Sequence, residues 1–118
     1  MHILGDGSQI RHYTYGEDLA VGIVAAMLHP GALNQDFNLS TEAGTTVLEL
    51  AADIWHRLRG DDAFRFVSDP PFEHDVQRRV PAVDKARDVL GFTASTSLDQ
   101  MLDVVVPWVT DAVDNGRI

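Results

Sequence analysis

Gly5-Asp6-Gly7-Ser8-Gln9-Ile10-Arg11-His12-Tyr13 opens as a phosphate-binding loop would, with a glycine, one residue and a second glycine. A dinucleotide fingerprint needs its third glycine at position 10, where this chain has Ile, and it must follow a strand and open a helix. Only four residues precede Gly5. Ile10 to Tyr15 (Ile-Arg-His-Tyr-Thr-Tyr) has the aromatic and β-branched content of a short strand. The stretch is therefore not a dinucleotide loop. Two readings of it remain. Asp6-Gly7 is an ordinary turn pair leading into a strand, or the turn presents Arg11, whose guanidinium can grip a phosphate with two parallel hydrogen bonds.

Outward from this stretch, periodicity switches between strand and helix. Glu17 to Leu28 reads as a helix, with Leu19, Ile23, Ala26 and Met27 on one face and His29-Pro30-Gly31 ending it. Glu17 and Asp18 complement the dipole at its start. Phe37-Asn38-Leu39 reads as a brief buried strand. Thr46-Val47-Leu48-Glu49 is a capping box. The helix it opens carries Val47, Leu50, Ala51, Ile54, Trp55 and Leu58 on one stripe, closed by Gly60.

Phe64 to Val67 reads as a third strand, and Asp69 to Arg79 as a loop broken by Pro70-Pro71. Val83 to Leu90 is a short helix before Gly91. Ser97-Leu98-Asp99-Gln100 is a second capping box, and it begins the strongest apolar stripe in the chain, Leu98 to Val113. Pro107 inside it removes a backbone donor and predicts a kink. Trp55 and Trp108 lie on these stripes and read as core. The order is strand, helix, strand, helix, strand, helix, helix. It predicts a small mixed α/β domain of about three short strands and four helices, spanning residues 1–118 as one unit. So thin a sheet is expected to lean on something else.

Composition narrows the function. The 118 residues carry a net charge of −9 with nine basic residues, and Arg78-Arg79 is the only basic doublet. That argues against nucleic acid, which needs a clustered positive surface. No apolar run has membrane-spanning length and the start has no signal-peptide pattern, so no membrane role is expected. With no Cys there is neither a disulfide framework nor thiolate chemistry, and the expected compartment is the cytoplasm. The five histidines (His2, His12, His29, His56 and His74) show no metal-ligand spacing, so no metal site is expected. No Gly-x-Ser-x-Gly elbow supports a nucleophilic triad. Lys85 is the only lysine and Tyr13 and Tyr15 the only tyrosines, so no Tyr and Lys stand one helical turn apart and no catalytic residue is assigned.

The order of these pieces resembles a family. Gly5-x-Gly7-x-Gln9-x-Arg11 followed by Tyr15-x-x-Asp18-Leu19 is similar to the start of the final third of extended short-chain dehydrogenase/reductases acting on nucleotide sugars. The resemblance continues through Phe37-Asn38-Leu39, Thr46 to Ala51, Asp75-Val76-Gln77-Arg78-Arg79-Val80-Pro81, Lys85-Ala86-Arg87, Leu90-Gly91-Phe92, Ser97-Leu98 and Trp108. It is strongest to UDP-glucuronate decarboxylases, with dTDP-glucose dehydratases and sugar epimerases nearby. It covers nearly the whole chain.

The resemblance implies the C-terminal, substrate-binding portion of an NAD-dependent nucleotide-sugar epimerase, dehydratase or decarboxylase, either an isomerase or a lyase. In the full enzymes an N-terminal Rossmann domain holds NAD and a Tyr-x-x-x-Lys pair works on the substrate. That part would come before residue 1, and NAD is not expected on this chain alone. By position, Arg11 and Arg78 match the arginines at the sugar-nucleotide diphosphate. Gln9 is presented beside it, and Asn38 matches a family Asn that is a candidate substrate contact or a structural brace. Asp18 is expected to cap or orient the first helix. Ser40, Ala82 and Phe72-Glu73-His74 depart from the family pattern, the last two around the nucleotide.

Two function classes follow. One is part of a nucleotide-sugar enzyme, silent by itself. The other is a free-standing binding or interaction module that uses its exposed face to meet a partner or a second copy of itself.

Overall fold

The computed structural model describes residues 1–118 and contains eight principal elements. In chain order they are β1 (His2–Leu4), β2 (Ile10–Arg11), α1 (Gly16–Leu28), β3 (Thr45–Thr46), α2 (Val47–Arg59), β4 (Val67–Asp69), α3 (Asp84–Leu90) and α4 (Leu98–Asp114). A 3-10 turn at Pro30–Ala32 follows α1. The four helices and the small mixed α/β class match the expectation. The strands form two separate two-stranded ladders rather than one three-stranded layer.

β1 and β4 run parallel, His2 opposite Val67 and Leu4 opposite Asp69. β2 and β3 run antiparallel, Ile10 opposite Thr46. β1 was invisible to pattern because three residues hold too little of any period. The strand expected over Ile10 to Tyr15 shrinks to two residues, and the one expected over Phe64 to Val67 slides to Val67–Asp69. There His2 and Ile3 supply its partners. Phe64 and Phe66 stack instead, with ring centroids 5.7 Å apart, and Phe64 meets the edge of Trp55 at 6.0 Å. The expected strand at Phe37-Asn38-Leu39 makes no ladder.

Both capping boxes close. Thr46 accepts from the Glu49 amide at 3.1 Å, and the Glu49 carboxylate accepts from the Thr46 amide at 2.8 Å. Those bonds hold the fully exposed Glu49 carboxyl below its ordinary range. Ser97 and Gln100 repeat the arrangement. Gly91 ends α3 in the left-handed conformation expected of it. α4 runs unbroken through Pro107, which leaves the Asp103 carbonyl without its helical donor. Arg57 ties α2 to α4 through Asp99 at 2.9 Å and Asp103 at 3.1 Å. Asp18 does not cap its own helix; it accepts from the Thr96 amide at 2.9 Å and so fastens α1 to the start of α4.

Burial is thin. Only 11 of 118 residues are buried, so the apolar stripes are half used. α1 turns the opposite way from the expected face: Gly22 packs on Phe92 and Leu39, while Leu19, Ile23 and Met27 stand in solvent. Trp55 is half-buried, but Trp108 is 60% exposed, which overturns its assignment to the core. The accessible surface is 8115 Å². A self-contained monomer of this mass exposes about 6,300 Å². The radius of gyration is 17.1 Å, against about 13.5 Å for a compact chain of this length.

Thr46→Ala removes one side of the better-defined capping box and is expected to cost about 1 kcal/mol in denaturant unfolding. Gly7 sits at φ 76°, and an added Cβ would lie 3.0 Å from the Leu48 Cβ. Gly7→Ala is therefore expected to destabilise by more than about 1 kcal/mol, measured the same way.

Candidate functional site

The quoted loop folds as a turn. Gly5 and Gly7 both take positive φ, which a side chain would resist. Asp6 accepts from the Ser8 amide at 2.9 Å and from the Ser8 hydroxyl, which hold its exposed carboxyl below the usual range. The Gly7 and Gln9 carbonyls then accept the first two amides of α2, from Leu48 at 2.9 Å and Val47 at 3.1 Å. The turn is thus welded to the start of a helix that comes forty residues later.

β2 is gripped from its other side by the Pro-rich loop. The Ile10 amide donates to the Gln77 carbonyl at 2.8 Å, and Ile10 forms a parallel bridge with Arg78. This brings together what sequence spacing could not. With Ile10 opposite Arg78, the next pair along is Arg11 and Arg79.

Asp75 organises the side chains. Its carboxylate accepts from Gln9 Nε2 at 3.1 Å and from Arg11 Nη2 at 3.2 Å. Gln9 Nε2 also donates to the Leu4 carbonyl at 2.9 Å, and Arg11 Nη1 to the Ile10 carbonyl at 2.9 Å. Gln9 is 6% exposed, the most enclosed polar residue of the chain, and its Oε1 has no hydrogen-bond partner. Asp75 was quoted at the sequence level only as part of a motif. Its role depends on a contact 64 residues away, which no local pattern encodes.

Two cavities share Arg11. The first, about 460 Å³, is lined mostly by apolar side chains from β1 and α2 (Ile3, Leu4, Leu50, Ile54) together with Gln9, Arg11 and Asp75. The stripe of α2 that sequence reads as core therefore becomes the wall of a cavity. The second, about 470 Å³ and open, is lined by Arg11, His12, Tyr13, Ser40, Arg79 and Pro81. It carries two arginines in an otherwise acidic chain. His12 bonds the Thr41 carbonyl through Nδ1 at 3.1 Å, while its buried Nε2 has no partner. Burial pushes the Tyr13 hydroxyl above its ordinary pKa, with the Arg11 charge opposing.

Of the four residues singled out in the sequence, Gln9 and Arg11 stand side by side on the first cavity. Arg78 joins them through its backbone, and its neighbour Arg79 lines the open cavity. Asn38 lines neither. Its amide donates to the Ala82 carbonyl at 3.1 Å, a brace between the segment after α1 and the approach to α3. No group of three or more His, Cys, Asp or Glu gathers as a metal site would.

No protein-family model matches the chain. The chain is 32% identical over 104 residues to UDP-glucuronic acid decarboxylase 2 of Arabidopsis thaliana, covering 88% of this chain and 22% of that protein. The UDP-glucose 4-epimerase of Thermotoga maritima, solved with UDP-glucose, superposes with a TM-score of 0.82 at 31% identity over 96% of this chain and 35% of that one. MoeE5, solved with UDP-glucuronic acid and NAD, superposes at 0.77 with 25% identity, over 95% of this chain and 37% of that one. The chain thus spans between 22% and 37% of the length of these proteins.

The Asp75 hub gives a direct prediction. Asp75→Ala leaves the enclosed Gln9 amide and the Arg11 guanidinium each short of an acceptor and should cost about 1–3 kcal/mol. Asp75→Asn keeps one carbonyl oxygen and should cost less; thermal unfolding of the two variants checks the order.

Proposed function

Because the chain belongs to the NAD-dependent nucleotide-sugar epimerase/dehydratase family of extended short-chain dehydrogenase/reductases, we propose that it is the substrate-binding portion of such an enzyme. The observation that carries this reading is the position of Arg11 between an apolar cavity and a cationic one. That pairing suits a ligand with a flat, weakly polar end joined to a multiply charged anion, as in a nucleoside diphosphate sugar. Binding sites of a few hundred Å³ with a small number of placed polar groups are the usual scale for such ligands.

In this reading the base enters the apolar cavity against Ile3, Leu4 and the wall of α2. Arg11 meets the diphosphate with its remaining N–H groups, where a guanidinium makes charge-assisted bonds. Arg79 supplies the second positive charge and Arg78 a third from the rim. Asp75, itself bonded by Gln9, holds Arg11 in a fixed direction before the ligand arrives, which lowers the ordering cost of binding. Asn38 keeps the loop near Ala82 in place.

NAD would be held by the remainder of the family enzyme. A Tyr-Lys pair one helical turn apart is missing from these residues, so the 118-residue chain by itself is expected not to turn over a nucleotide sugar with added NAD. Whether the whole enzyme acts as epimerase, dehydratase or decarboxylase is set by that remainder. The absence of any helix long and apolar enough to cross a membrane suits a cytoplasmic enzyme.

A second reading, a free-standing interaction module, is favoured by the solvent-exposed apolar faces of α1 and α4. Titration calorimetry separates the two. The nucleotide reading predicts saturable binding of UDP, and a loss of about ten- to a hundredfold in affinity for Arg11→Ala or Arg79→Ala. Trp108→Ala, at a residue that lines neither cavity, should bind as the parent does. UDP affinity unchanged in Arg11→Ala would contradict the reading.

A further inference from the structure

Phe72 stands on the loop between β4 and α3. It is 69% exposed, yet it lines the apolar cavity walled by β1 and α2. A lone exposed apolar side chain is ordinary on a protein surface. Phe72 differs in its position: its ring sits at the open side of a cavity that also holds Arg11.

The loop is fastened on both sides of this ring. Before it, the Gly5 amide donates to the Asp69 carbonyl at 2.8 Å, and the Ser68 hydroxyl donates to the Gly5 carbonyl. Pro71 packs on Gly5, its Cβ 3.5 Å from where a Gly5 Cβ would stand. Pro70 and Pro71 also fix their own φ. Beyond the ring, the Asp75 carboxylate accepts from Gln9 and Arg11, and the Gln77 carbonyl accepts from the Ile10 amide. Between these anchors lie Phe72, Glu73 and His74. The side chains of Glu73 and His74 are each 90% exposed, and of the three residues only Phe72 lines the cavity. Its ring has no aromatic neighbour, for the chain's two ring pairs join Trp55, Phe64 and Phe66.

We propose that Phe72 is the stacking platform for the base of a bound nucleotide. This role rests on the nucleotide reading of the same cavity and adds to it a residue that covers the base. Leu50 and Ile54 of α2 wall the cavity, and a flat base resting against them would keep one face in water. The Phe72 ring covers that face. Stacking of this kind is indifferent to which base is present, because every base has a π-face. Phe72 therefore separates nucleotides from phosphates that carry no base, while Arg11 grips the charge common to both.

That division of labour is read by titration calorimetry with two probes, UDP and inorganic diphosphate. Phe72→Ala should weaken UDP by about five- to a hundredfold and leave inorganic diphosphate unchanged. Arg11→Ala should weaken both. Phe72→Tyr keeps a ring and should bind UDP as the parent does. Phe72→Leu keeps an apolar side chain without a ring and should lose most of what Phe72→Ala loses. The position is exposed, so the thermal midpoints of all three Phe72 variants should stay near that of the parent.

UDP bound equally by the parent and Phe72→Ala, with Arg11→Ala weakened, overturns the platform and leaves the nucleotide reading standing. Full affinity in Phe72→Leu overturns stacking as its basis. Equal losses of UDP and inorganic diphosphate in Phe72→Ala overturn it as well, since the substitution would then have disturbed the Arg11 side of the site. A parent chain that binds neither probe defeats the nucleotide reading and the platform together.

Discussion

The structure depends on two residues of backbone. β2, Ile10 and Arg11, is paired with Thr45–Thr46 on one side and held by Gln77 and Arg78 on the other. Through it the turn at Gly5 to Gly7, the first turn of α2 and the loop after Pro71 meet at one point. The ladder is too short to be stable by itself. Its strength comes from side chains that repeat the same connections, above all the Asp75 carboxylate shared by Gln9 and Arg11.

That junction lies in a frame that covers itself poorly. α2 and α4 begin in capping boxes, but the apolar faces of the helices find little to pack against. α1 approaches Phe92 and Leu39 at Gly22 but leaves Met27 and Leu28 exposed, and α4 leaves Trp108 in solvent. A chain with good local signals and a shallow core is the pattern expected of one layer of a larger body. The site and the frame therefore make the same statement. Arg11 lines two cavities, and the apolar faces of α1 and α4 are exposed.

Sequence disclosed the elements whose information is local. The capping boxes at Thr46 and Ser97 and the glycine stop at Gly91 lie where pattern places them, because each is decided within four or five residues. β1 was not legible and β4 was expected three residues early, since each exists only because the other lies beside it. The Phe37 to Leu39 strand was legible and does not form, because a strand needs a neighbour that this chain does not provide. The face of α1 was misassigned for a related reason: a helix apolar all round has no preferred side, and the small Gly22 decided which side could approach Phe92.

The same division holds for the site. Arg11 and Gln9 stand out in the first stretch of the chain, but the acceptor that orders both is Asp75, and Arg79, the neighbour of Arg78, lines the open cavity with Arg11. Register fixed that choice, and register is a property of the fold.

The most direct test of the account is a crystal structure of the chain with UDP. The account predicts the diphosphate within hydrogen-bonding distance of the Arg11 guanidinium, and the base in the cavity walled by Ile3, Leu4 and α2. A diphosphate bound elsewhere, with Arg11 still paired only to Asp75 and Ile10, would contradict it.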